Sequence, residues 1–96
     1  MSDHVTISGI GMIPFLKPET SPSYKEMGKQ ASMLALKDSG INYDQIQQVI
    51  AGYVYGDSTC GQSVVYGLGM TGIPVINVNN NCSTGSTALY MARQAI

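Results

Sequence analysis

From Gln45 to Ile96 only two side chains, Asp57 and Arg93, carry a full charge, while residues 1–44 hold the other nine. A segment so poor in charge is expected to lie against its own sheet or against another surface, because charged residues are the usual makers of a solvated face. The chain has 96 residues, fewer than the roughly 100–150 of a common domain, so it holds one domain or part of one. Apolar residues at 44% suffice for a core, but charged residues at 11% fall well below the roughly 25% usual for a globular domain. The net charge of −1, with no cluster of Lys or Arg, excludes nucleic-acid binding through phosphates. Apolar runs stay far short of the roughly 20 residues that span a bilayer, and the N-terminus lacks the plan of a signal peptide. An intracellular protein is therefore expected, with Cys60 and Cys82 as free thiols.

Patterning along the chain predicts alternating strands and helices. Val5 to Gly9 is β-branched and alternating, as in a short strand, and Pro14, Pro18 and Pro22 make the next segment a loop. Ser23-Tyr24-Lys25-Glu26 has the form of a capping box. It opens a helix over 24–39 whose inner face is Tyr24, Met27, Ala31, Leu34 and Ala35 and whose stop is Gly40. A single turn follows at 42–45, then a buried strand over 49–55, a loop at 56–61 and a short helix over 62–70. Residues 74–78 read as another strand, and Leu89, Ala92 and Ile96 place a last helix from about 84 to the end, with no stop signal. The order implies an α/β fold, a parallel or mixed sheet covered by helices.

Cys82 stands where the last strand crosses into the last helix, among Asn79-Asn80-Asn81-Cys82-Ser83-Thr84-Gly85. Unpaired amides and the macrodipole at a helix start favour a negative group, which a thiolate is, and small residues on either side leave a substrate room to approach. Cys82 is thus a candidate nucleophile; the alternative is a small buried side chain, the commoner role for cysteine.

Gly52-Tyr53-Val54-Tyr55-Gly56-Asp57-Ser58-Thr59 and the run from Gly72 to Leu89 resemble the N-terminal part of the thiolase domain of the sterol carrier protein x and lipid-transfer-protein type, within the thiolase superfamily. The likeness extends from Gly9 onward. Thiolases surround their acyl-accepting cysteine with Val-Asn-x-x-Cys-x-x-Gly, and Val78, Asn79, Cys82 and Gly85 fall on that pattern. The resemblance implies an incomplete N-terminal portion of a thiolase-like fold over 1–96. It implies 3-oxoacyl-CoA cleavage through an acyl thioester on Cys82, with the Cys82 amide in an oxyanion hole and coenzyme A as co-substrate, no cofactor or metal being bound. Asn79 is its candidate loop brace, although an ordinary local turn role fits that residue as well, and Gly85 belongs to the same supporting loop. A homodimer, no nucleic-acid or membrane-spanning partner, and a peroxisomal site in eukaryotes or a cytoplasmic one in bacteria are further implications. So is a role in fatty-acid or sterol side-chain oxidation.

The Gly-His-Pro and Cys-x-Gly motifs that supply base and acid in thiolases are missing from the 96 residues, so this chain alone is not expected to turn over. His4 is the only histidine, near the N-terminus. Cys60 stands where the family pattern has Ser and reads as a near-isosteric small residue, and Asp57 as a loop-capping carboxylate or else a group near the pocket or the partner subunit. Gly9-x-Gly11 is followed by Pro14 at the sixth position of a dinucleotide fingerprint, which excludes that motif. Asn81-Cys82-Ser83 matches a glycosylation sequon by chance. A reading of another class is a non-catalytic short product acting as a binding or regulatory interface module. Condensing ketoacyl synthases share the fold and the cysteine turn, but the Asn79–Gly85 wording favours the sterol-carrier type.

Overall fold

The computed structural model describes residues 4–96. Its first regular element is α1, Tyr24–Ser39, bounded as the sequence predicts. Ser23 caps it by accepting the Glu26 amide at 3.3 Å, and Gly40, at φ 72°, closes it by donating to Leu36 O at 2.9 Å. The Glu26 carboxylate accepts from Gln30 Nε2 at 3.2 Å. Tyr24, Met27, Ala31 and Ala35 are half-buried as expected, but Leu34 is 47% exposed, and Gly28 and Ser32 belong to the inner face instead.

A single 3-10 turn, Tyr43–Gln45, leads into β1, Val49–Gly52. β1 pairs in parallel with β2, Val75–Val78, in the register Val49 to Val75 and Gly52 to Val78, and α2, Cys60–Val65, makes the crossover. The last helix is α3, Thr84–Gln94. Strand alternation places Ala51, Val75 and Asn77 on one face and Gly52 on the other. α2 packs on the first face through Gly61, and α3 on the second through Thr84. Beyond α2 lies α1, meeting it where Gly28 abuts Val64.

Three expectations are revised. The predicted strand at Val5–Gly9 has no strand partner, and β1 and β2 are the only strands among the described residues. Its end runs onto α1 instead: a side chain at Gly9 would sit 2.7 Å from Ser39 N, and the Ile10 amide donates to Asp38 Oδ2 at 2.9 Å. β1 stops at Gly52 rather than residue 55 because Tyr53 N takes Val78 O, the last carbonyl of β2, at 3.0 Å and leaves Val54 and Tyr55 no ladder. α2 begins at Cys60 and gives way after Val65 to tight turns, Gly67 N to Val64 O and Leu68 N to Val65 O.

The core is thin. Among the described residues Cys60, Val65 and Thr84 are the buried side chains, and no large side chain is fully buried. The charge-poor half is not covered within the described residues: Tyr55, Met70 and Ile96 are 96%, 81% and 87% exposed. Leu89, Ala92 and Ile96, whose spacing predicts the last helix, line an open groove with Val5 and Ile7. The residues of α3 turned toward the sheet are Thr84, Thr87, Ala88 and Met91.

Candidate active site

Parallel β2 ends at Val78, and five residues carry the chain round to α3. The turn needs one residue in the left-handed region, and Asn81 takes it at φ 50°, a conformation asparagine tolerates better than most residues. Next in line is Cys82, exposed, one residue before Ser83, the N-cap of α3. Of the two sequence readings of Cys82, a small buried side chain is thereby overturned. The buried thiol is Cys60, with Sγ 3.6 Å from Asn77 Oδ1 at the start of α2.

Around Cys82 the loop is closed by short-range bonds. Ser83 N and Ser83 Oγ both donate to Asn80 O, at 3.1 and 2.9 Å, and Thr84 N donates to Asn81 O at 3.1 Å. Asn79 accepts from Asn81 N at 3.1 Å and donates from Nδ2 to Val54 O at 3.2 Å, so its carboxamide ties the loop to the segment after β1. Thr87 Oγ1 accepts from Asn80 Nδ2 at 3.0 Å and donates to Ser83 O at 3.0 Å. Thr84, 6% exposed, accepts the Asn80 amide on Oγ1 and donates to Tyr53 O at 3.3 Å. Gly85 lies in the first turn of α3, where an added side chain would meet open space.

Across the sheet a second polar cluster surrounds Asn77. Its Oδ1 accepts from the Gly61 amide at 2.6 Å and its Nδ2 donates to Gln62 Oε1 at 2.7 Å. A strand side chain thus supplies the acceptor for one of the unpaired amides that open α2. Asp57 accepts from Tyr24 Oη at 2.9 Å through its side chain and from Cys60 N at 3.0 Å through its carbonyl, so it joins α1 to the loop before α2. Asn77, Thr84 and Thr87 were missed by sequence reasoning. For Asn77 the available signal was a polar residue inside the apolar strand Val75-Ile76-Asn77-Val78. For Thr84 and Thr87 there was none, since Ser and Thr at a helix start are common. Among the described residues no three His, Cys, Asp or Glu side chains come together as a metal site would require, and no helix is long and apolar enough to cross a membrane.

A strand-to-helix turn presenting an exposed cysteine within Val78-Asn79-Asn80-Asn81-Cys82-Ser83-Thr84-Gly85 is what the thiolase resemblance describes. A family model for the thiolase N-terminal domain matches residues 5–96. The chain belongs to the thiolase family. It is 56% identical to sterol carrier protein 2 of Gallus gallus over 98 aligned residues, which take in 100% of this chain and 18% of that protein. Against sterol carrier protein 2 of Homo sapiens it is 56% identical over 95 residues, 96% of this chain and 17% of that protein. The benzoylsuccinyl-CoA thiolase subunit BbsB of Thauera aromatica is 34% identical over 90 residues, 92% of this chain and 23% of that protein. The chain therefore spans about a fifth of the length of these thiolase-related proteins.

Proposed function

We propose that the chain is the nucleophile-bearing, N-terminal portion of a thiolase acting on 3-oxoacyl-CoA, with Cys82 as the acyl carrier. The observation that carries the reading is the exposed Cys82 at the mouth of α3, on a turn that Asn81 enters in the left-handed conformation. In the forward direction Cys82 Sγ, as thiolate, attacks the 3-keto carbon. The bond between carbons 2 and 3 breaks, and its electron pair leaves as the carbanion of acetyl-CoA, which takes a proton. Coenzyme A thiolate then attacks the Cys82 thioester, forming the shortened acyl-CoA and returning Sγ as thiolate. The Cys82 amide is suited to stabilise the oxyanion of each tetrahedral intermediate. Asn79 braces the turn through its bonds to Val54 O and Asn81 N, and Gly85 leaves open space beside it. The base and the acid belong, by the family pattern, to a C-terminal half. The homodimer, the peroxisomal or cytoplasmic site and the role in fatty-acid or sterol side-chain metabolism go with the same proposal.

The test is acyl trapping. Incubated with acetoacetyl-CoA and digested, the chain is expected to yield an acetylated Cys82 peptide and an unmodified Cys60 peptide, with no acetylation in Cys82→Ala. Acetylation at Cys60 alone refutes the assignment. Steady turnover is not expected without the acid and base.

A further inference from the structure

Cys82 is useful as a nucleophile only if its turn is held in one orientation over the sheet, and the short-range bonds cannot do that. Ser83 to Asn80, Thr84 N to Asn81, Asn81 to Asn79 and the Thr87 pair all join residues within the turn or the first turn of α3. They fix the shape of the turn and leave its aim undetermined. Two side chains reach out of it to the end of β1. Asn79 Nδ2 meets Val54 O, and Thr84 Oγ1 meets Tyr53 O.

These two anchors differ in what would replace them. Asn79 is exposed, so water can take over its bond at little net cost. Thr84 is buried, and its single hydroxyl serves two partners, accepting the Asn80 amide and donating to the Tyr53 carbonyl. No water can stand in without displacing the side chain. Its shape is fitted as well: a Cβ at Gly52 would lie 2.9 Å from Thr84 O, and closer still to the Thr84 methyl group. The glycine that ends β1 makes room for the threonine that starts α3. Tyr53 N in turn donates to Val78 O, so one hydroxyl connects the ends of both strands to the helix that follows Cys82.

We infer that Thr84 is the positioning residue for Cys82, its hydroxyl clamping the Asn80 amide and the Tyr53 carbonyl so that the turn is locked to the end of β1. This rests on Cys82 being the nucleophile. Thr84 touches no reacting atom and acts through the backbone of residues 80–83.

The experiment uses the full chain in buffer with an excluded osmolyte, which favours the compact state. Three forms are compared: the parent, Thr84→Val, which keeps the branched shape without the hydroxyl, and Thr84→Ser, which keeps the hydroxyl without the methyl. Amide hydrogen exchange and acyl transfer from S-phenyl thioacetate are read on each, by peptide mass at Cys82 and Cys60. The Asn80 amide is expected to exchange at least about tenfold faster in Thr84→Val, as for a buried donor deprived of its acceptor, and within about threefold of the parent in Thr84→Ser. Cys82 acylation is expected to fall at least about fivefold in Thr84→Val and to recover in Thr84→Ser, with Cys60 unreactive in all three. Reaction at Cys60 in Thr84→Val alone overturns the inference, because the hydroxyl then holds the whole fold rather than the turn. An Asn80 amide that already exchanges freely in the parent while β1 is protected overturns the inference. So does a Thr84→Val chain that behaves as the parent, or a Thr84→Ser chain that fails alongside it. The nucleophile reading fails separately, if Cys82 in the folded parent reacts no faster than in the same chain unfolded in urea, whatever the Asn80 amide does.

Discussion

Gly61→Ala isolates the contact on which the buried part of this fold depends. A methyl at Gly61 would stand 2.7 Å from Asn77 Oδ1, 2.8 Å from Ala51 Cβ and 2.9 Å from Val75 Cγ1, facing both strands at once. Ordinary contact begins near 3.4 Å, so α2 would have to lift from the sheet by about 0.7 Å. None of the three neighbours is the free end of a flexible chain, because Asn77 is held by Gly61 N and Gln62 and the other two sit on strands. Lifting α2 also withdraws Cys60 and Val65, the two buried apolar side chains. Overpacking of this kind costs about 1–3 kcal/mol, against a gain of about 0.5–1 kcal/mol from replacing a helical glycine by alanine. The mid-values leave a net loss of about 1 kcal/mol, and at a urea m-value of about 1 kcal/mol per molar it lowers the unfolding midpoint by about 1 M. The assay is urea titration by far-ultraviolet circular dichroism in sucrose, parent and variant side by side. A midpoint equal to or above that of the parent would refute the packing argument.

Gly85→Ala is the converse case, since its added methyl meets open space. It is expected to leave the stability unchanged or raise it by up to about 1 kcal/mol, read as a midpoint equal to or above that of the parent. A loss of stability there would show a contact that the described residues do not contain. Cys60→Ser is expected to retain acyl labelling at Cys82 within about twofold, because the buried Cys60 thiol faces Asn77 and a hydroxyl can keep that bond; peptide mapping after a thioester pulse reads it. Ser23→Ala removes the acceptor of the Glu26 amide and is expected to cost α1 about 0.5–1 kcal/mol, the low end for an N-cap given the 3.3 Å bond, seen as faster exchange of its first-turn amides.

The accuracy of the sequence reading follows how local each structural cause is. α1 was legible to the residue because both its ends are decided within four positions, by Ser23 toward Glu26 and by Gly40 toward Leu36. The Cys82 turn was legible too, since a strand, an Asn-rich corner and small residues succeed one another in sequence. Elements whose bounds depend on a distant partner shifted. Periodicity could not tell that Val78 is the last carbonyl available to β1, so the run to Tyr55 read as strand. Asn77 supplies an acceptor from a strand 16 residues away, so the start of α2 at Cys60 was out of reach. Val5–Gly9 has the composition of a strand, but Gly9 and the nearby Gly11 lie against the backbone of α1 instead. Nor could any spacing rule couple Gly52 to Thr84.

The two faces of the sheet are held in different ways, and this bears on the nucleophile. On the α2 side Cys60, Gly61 and Val65 are buried, so packing fixes the helix and the Asn77 bonds add to it. On the α3 side Thr84 alone is buried, and Thr87, Ala88 and Met91 are half-buried. Packing is spread over many weak atom contacts and yields gradually when one is lost, whereas a hydroxyl with two partners is either in place or not. The start of α3, and Cys82 with it, is therefore aimed by the Thr84 hydrogen bonds together with the packing of Thr84 on Gly52. Trimming an apolar side chain such as Val64, whose contacts lie toward α1, should alter the stability of the chain and leave the relative reactivity of Cys82 and Cys60 in the folded state unchanged. Removing the Thr84 hydroxyl should do the reverse, changing that ratio more than it changes stability.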